Sequence, residues 1–223
     1  MQTIDFEEIT RRVLARLALE NKEKQDAIPV EMSARHVHLS GQHALDLFGN
    51  DLTPVRELSQ PGQFLCKERV RLIGPKGVID NVAVLGPARD ESQVEISLTD
   101  ARTLGIKAPI RQSGDLDSTP GVVLSSGKTI IGLEKGVIVA GRHIHMSPED
   151  ARIFGVEDRQ MVCVGMEGSR PAVFKDVLVR VNPGYQLAMH IDADECNGVA
   201  CEPHTTCSIV SAKKSEDPCR LMS

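Results

Sequence analysis

Tryptophan is absent from the 223 residues, and aromatic side chains make up only 3% of them, five Phe and one Tyr. A core without large rings must rest on Val, Ile and Leu, of which Val and Ile suit pleated, half-buried surfaces, so the composition leans toward β structure. No stretch approaches the roughly 18 consecutive apolar residues that a membrane helix needs, and Met1 to Glu8 lacks the basic n-region of a secretory signal. A cytoplasmic protein without a membrane partner is expected. A basic stripe is also missing: the formal net charge is -5 and the 26 Lys and Arg residues are scattered, which argues against nucleic acid as a partner. Glycine-rich nucleotide loops are lacking too. Gly74-Pro75-Lys76-Gly77 does not have the spacing of a phosphate-binding loop and reads as a hairpin turn, so ATP is not expected.

At 41% hydrophobic, the chain can bury one generous core or two small ones. From Ile4 to Leu19 the apolar residues Phe6, Ile9, Val13, Leu14 and Leu17 recur at intervals of three and four, which predicts an amphipathic helix. The polar stretch Asn21 to Asp26 then tethers that helix to the body. After Pro29 short apolar runs alternate with Gly, Pro and Asn breaks: 70–73, 82–85, 94–96, 136–140 and 177–181. That rhythm predicts strands of a barrel or sandwich, with Asn182-Pro183-Gly184 as a turn.

An internal repeat carries most of the information. Ser33-Ala34-Arg35-His36-Val37-His38-Leu39-Ser40 is echoed by Ala140-Gly141-Arg142-His143-Ile144-His145-Met146-Ser147. Ser40 and Ser147 can each cap a short helix, and a third echo matches Asp100-Ala101-Arg102-Thr103-Leu104-Gly105 with Asp150-Ala151-Arg152-Ile153-Phe154-Gly155. The repeat suggests a division near Gly132 to Gly136: residues 1–27 form a helix and linker, 28–134 a first β domain and 135–223 a second.

On an extended strand alternate side chains share a face, so His36 and His38 can reach one cation, and His143 and His145 another. Neutral imidazole is a common zinc ligand. A single His-x-His reads equally well as a polar strand face; duplication with flanking Arg and Ser favours ligation. Glu95, between two β-branched residues, is either a ligand or a solvated strand position, and His190 is either a ligand or a structural histidine. The six cysteines are Cys66, Cys163, Cys196, Cys201, Cys207 and Cys219, and they suit reduced thiols or metal ligands better than a disulfide framework. Cys196, Cys201, His204 and Cys207 could hold a further metal, but partly buried thiols are the simpler reading.

These motifs, with Leu85-Gly86-Pro87-Ala88-Arg89, Gln93-Val94-Glu95-Ile96-Ser97 and Met189-His190-Ile191-Asp192, resemble the PduL-type phosphotransacylases over residues 28 to 212. The resemblance implies a mainly β fold: two β-barrel domains capped by short helices, with an N-terminal amphipathic helical extension. It implies two zinc ions per chain, one on His36, His38 and Glu95 and the other on His143, His145 and His190. Arg89 is implied to bind phosphate, and Ser33 and Asn197 to line the coenzyme A site. The implied reaction interconverts acyl-CoA plus phosphate with acyl phosphate plus coenzyme A, for propanoyl or acetyl groups, in a ternary complex without an acyl-enzyme. The extension resembles a peptide that directs such enzymes to the shell or core proteins of a bacterial microcompartment, and a homo-oligomer is expected. Two other readings fit the same ligands: a dinuclear zinc hydrolase, and a non-catalytic scaffold protein stabilised by metal.

Overall fold

The computed structural model describes residues 27–211, so the helix expected over Ile4–Leu19 lies outside the described residues. In chain order the first strands are β1 (Ile28–Ser33), β2 (His36–Ser40), β3 (Pro54–Glu57), β4 (Phe64–Ile73), β5 (Val78–Arg89), β6 (Gln93–Glu95) and β7 (Ile110–Arg111). There follow β8 (Val122–Ser125), β9 (Ile130–Leu133), β10 (Val137–Ala140), β11 (His143–Met146), β12 (Met161–Met166), β13 (Ala172–Val181), β14 (Ala188–Asp192) and β15 (Thr206–Ser211). Four short helices intervene: α1 (Gly41–Phe48), α2 (Leu98–Leu104), α3 (Pro148–Phe154) and α4 (Ala193–Val199). No helix among the described residues is long and apolar enough to cross a membrane.

The fold is mainly β, as the composition suggests. The expected pair of barrels is met by one closed barrel, β1-β14-β11-β13-β12-β15, and one curled half-barrel, a nine-stranded sheet running β7-β10-β6-β2-β5-β4-β8-β9 with β3 on β4. Each sheet wraps its own apolar cluster, one including Val37, Leu39, Leu72 and Val84, the other Ile144, Met146, Val164 and Val179. The anticipated turns are in place. Gly74 N–H donates to the Gly77 carbonyl at 2.9 Å between β4 and β5, and Tyr185 N–H donates to the Asn182 carbonyl at 3.0 Å after β13.

The division between sheets differs from the cut at residues 134 and 135. β1 pairs with β14 and β15, inside the barrel of the second half, while β10 pairs with β6 and β7, inside the sheet of the first half. The exchange is symmetric. Each repeat opens with a strand that runs parallel to the third-ligand strand of the opposite half, and then turns through Arg-His into its own His-x-His strand. Backbone pairing decides sheet membership, and it is blind to where the repeat begins in the chain.

The motif arginines explain the crossing. Arg35 makes a two-point ion pair with Asp100, Nη2 to Oδ1 at 2.8 Å and Nε to Oδ2 at 2.9 Å. Its counterpart Arg142 pairs with Glu195 and lies over the Phe174 ring at 4.8 Å. Asp100 and Glu195 are both third residues of short helices, where each closes a capping box, with Ser97 in α2 and with Asp192 in α4. A strand feeding a capped helix therefore occurs four times: β2 into α1, β6 into α2, β11 into α3 and β14 into α4. The last copy escapes the sequence pattern because Asp192 replaces serine as the cap; Asp-x-x-Glu was its signal. The third echo is explained by the glycines. Gly105 and Gly155 end α2 and α3 at φ 74° and 64°, a left-handed conformation that a side chain resists.

Candidate metal centre

Antiparallel register builds each ligand group from two strands. β2 faces β6 so that His36 stands opposite Glu95, and β11 faces β14 so that His143 stands opposite His190. Glu95 and His190 are thus equivalent positions of the two halves, which neither sequence pattern discloses. Alternation places Val37, Leu39, Ile144 and Met146 in the cores, all fully buried. The imidazoles of the other face gather with their cross-strand partners. In His36/His38/Glu95, and again in His143/His145/His190, one ligand atom per residue lies within 4.8 Å of the others. Both groups line a single cavity of about 460 Å³.

The backbone orients the rings alike in both copies. His36 Nδ1 meets the Ala34 carbonyl at 2.8 Å and His143 Nδ1 meets the Gly141 carbonyl at 2.9 Å. A carbonyl can only accept, so each Nδ1 carries the proton and each Nε2 presents a lone pair. In the second group His145 Nδ1 and His190 Nε2 are buried without a hydrogen-bond partner. Buried ring nitrogens left without partners in a cluster of three imidazoles fit a cation, which would accept a lone pair there.

Electrostatics separates the two groups. Burial pushes the imidazoles of His38, His145 and His190 down to about 3, 2 and 3, helped by His36 at the first and His143 at the other two. His143 is lowered too, chiefly by burial. His36 goes the other way: burial opposes, but the Glu95 carboxylate, 3.5 Å from His36 Nε2, outweighs it and raises the imidazole. Burial would lift Glu95 in turn, yet His36 and then His38 hold it well below the usual carboxylate range. Glu95 thus favours the protonated form of His36 in the first group, whereas burial favours neutral imidazoles in the second.

Arg89, at the end of β5, lines the cavity and donates from Nη2 to His38 Nε2 at 2.8 Å and from Nη1 to Ser113 Oγ at 3.1 Å. Gln93 donates to Ser113 at 2.8 Å and also to Glu95, and its own carbonyl is held by Gly114 N–H at 2.8 Å. Gln93 stood in a motif but was given no role, and Ser113, Arg180 and Tyr185 carried no motif, so all four were missed as site residues. Ser33 lines the cavity from β1. Asn197 does not; it is exposed on α4. Among the described residues, the two groups that could hold a cation include none of Cys196, Cys201, His204 and Cys207. Cys66, Cys196, Cys201 and Cys207 are free thiols.

A barrel and a half-barrel that exchange strands, with twin three-residue groups that could hold a metal ion turned into one cavity, define a protein of duplicated architecture. The model of the phosphate propanoyltransferase family matches residues 29–202. A phosphate propanoyltransferase of Alkaliphilus metalliredigens is 59% identical over 181 residues, covering 80% of this chain and 85% of the relative. Those of Sebaldella termitidis and Salmonella typhimurium are each 49% identical, over 211 and 193 residues, covering 94% and 85% of this chain and 99% and 92% of the relatives. The chain belongs to the phosphate propanoyltransferase family and is an acyltransferase.

Proposed function

We propose that the chain exchanges coenzyme A and phosphate on propanoyl or acetyl groups at a dinuclear zinc site, His36, His38 and Glu95 holding one ion and His143, His145 and His190 the other. The observation that carries this reading is the convergence of both donor groups and Arg89 on one cavity. Three imidazoles, or two imidazoles and a carboxylate, are donor sets that leave zinc an open position for substrate. When bound, the ions supply Lewis-acid stabilisation of a thiolate and of charge on phosphate.

The residues of the chain do the remainder. Arg89 presents a planar fork of donors suited to phosphate oxygens, and Ser113 holds that fork from behind. Arg89 donates to a lone pair of His38 that a cation would use, so a bound metal would free the guanidinium for an anion. Among the described residues no cysteine lines the cavity, and burial pushes the thiols of Cys66, Cys196 and Cys207 up to about 11, 12 and 12. Without an activated protein nucleophile, direct transfer between two bound substrates is favoured over an acyl-enzyme. Ser33 is well placed to contact coenzyme A at the cavity wall. Asn197, exposed on α4, meets the nucleotide part outside that wall. Residues 1–27 dock on microcompartment proteins, and the enzyme works as a homo-oligomer inside that cytoplasmic compartment.

The test is release of free thiol from propanoyl-CoA and acetyl-CoA by zinc-loaded protein, with and without inorganic phosphate. Exchange requires phosphate and yields acyl phosphate. Thiol release at the same rate without phosphate would overturn the reading in favour of a metal hydrolase.

The asymmetry of the two groups makes a second prediction. Zinc titrated into metal-free protein should expel more protons from the His36/Glu95 group than from the three-imidazole group, because Glu95 favours the protonated form of His36 whereas burial favours neutral imidazoles in the second group. Calorimetry in two buffers of different ionisation enthalpy reads the difference, and His36→Ala should abolish it. Equal proton release from wild type and His36→Ala would refute the assignment.

A further inference from the structure

The arginines of the twinned motif are neutralised by helix acids, but a second cavity arginine is not. Arg180, half-buried in β13, stands opposite His145 in the parallel ladder and lines the same cavity as Arg89. Among the described residues no carboxylate pairs with it; its guanidinium lies over the Tyr185 ring, 5.9 Å from the centroid. Tyr185 in turn packs against His145, ring centroids 4.2 Å apart, so one aromatic ring backs both a ligand imidazole and the arginine. Arg89 and Arg180 also sense each other: burial chiefly weakens the hold of Arg89 on its proton, the Glu95 carboxylate opposes that, and the Arg180 charge adds to the weakening.

Their origins are parallel. β5 is the parallel partner of β2, and β13 is the parallel partner of β11. Equivalent strands of the two halves therefore each deliver one guanidinium to the cavity, although at different registers, Arg89 opposite Ser40 and Arg180 opposite His145. Glu95 partly offsets the charge of Arg89, but the two guanidiniums in one enclosure still repel, and an anion between them relieves that repulsion. Arg180, Ser113 and Tyr185 also line a neighbouring cavity of about 330 Å³, which opens the guanidinium to a small anion from a second side.

We propose that Arg180 is a second phosphate-binding residue, gripping from the barrel half the same phosphoryl oxygens that Arg89 grips from the half-barrel. The proposal rests on the acyl-exchange reading for its substrate: inorganic phosphate in one direction and the phosphoryl group of the acyl phosphate in the other. Coenzyme A carries phosphates as well, but its pantetheine arm separates them from the thiol, and Arg180 lies at the imidazole end of the cavity, where the sulfur must react.

Isothermal titration tests it directly, with inorganic phosphate and with coenzyme A as separate ligands, on zinc-loaded wild type, Arg180→Gln and Arg180→Lys. Loss of one charge-assisted, two-point contact should raise the phosphate dissociation constant about 10- to 100-fold in Arg180→Gln. Coenzyme A affinity and zinc content should stay unchanged, and Arg180→Lys, which keeps the charge but not the fork, should fall between. Unchanged phosphate affinity in both variants overturns the proposal. Weakened coenzyme A with intact phosphate binding also overturns it, and assigns Arg180 to the nucleotide phosphates. If phosphate binding depends on Arg180 but wild type forms no acyl phosphate, the assignment of Arg180 stands and the acyl-exchange reading falls.

Discussion

Replacing His143 by alanine is expected to cut kcat/KM for acyl transfer on the order of 10³-fold or more, with loss of about one zinc per chain. His143 is the hinge of the second group. Its ring stacks on His190 with centroids 5.1 Å apart and meets that of His145 at 4.7 Å, and the Gly141 carbonyl fixes its tautomer. Two imidazoles alone hold zinc poorly at neutral pH, so the variant should retain metal only on His36, His38 and Glu95. Since His143 lines the cavity and is not part of the apolar core of the barrel, truncation there should leave the thermal transition of metal-free protein nearly in place. The measurement is metal content by elemental analysis beside initial rates. A variant that keeps both zinc ions and normal turnover would show that the second group is structural decoration of the cavity.

Arg89→Ala is the second large effect, expected at about 10²- to 10³-fold in kcat, the range seen when one preorganised donor to developing charge is removed. Arg89→Lys should recover little of it, because an ammonium cannot match a two-point phosphate contact. The loss should appear with saturating acyl-CoA and should be accompanied by a raised KM for phosphate, with the KM for coenzyme A nearly unaltered. A loss confined to the coenzyme A term would move Arg89 to the other substrate. The first donor group should also bind zinc more tightly in Arg89→Ala, since the Nη2 contact to His38 Nε2 no longer competes. That gain separates a direct role in phosphate binding from simple damage to the site.

Much of this centre was legible before folding. Alternation puts His36 with His38 and His143 with His145 on one strand face, and the serine caps and closing glycines of α1, α2 and α3 follow from local hydrogen bonding. Glu95 and His190 were ambiguous as single residues. Their equivalence lies in the cross-strand register of β6 on β2 and β14 on β11, which no local pattern carries. Arg180 was invisible for the same reason: it is one polar residue on a half-buried strand until β13 is laid beside β11.

Short-range order therefore suffices for the strand-helix units, for the duplication and for four of the six candidate ligands, because side-chain parity and capping act within a few residues. The exchange of β1 and β10 between sheets, the meeting of the two donor groups and the pairing of Arg89 with Arg180 arise only in the folded chain. Hydrogen bonds between strands far apart in sequence select one register among many, and that choice brings charges and lone pairs from both halves into the same cavity.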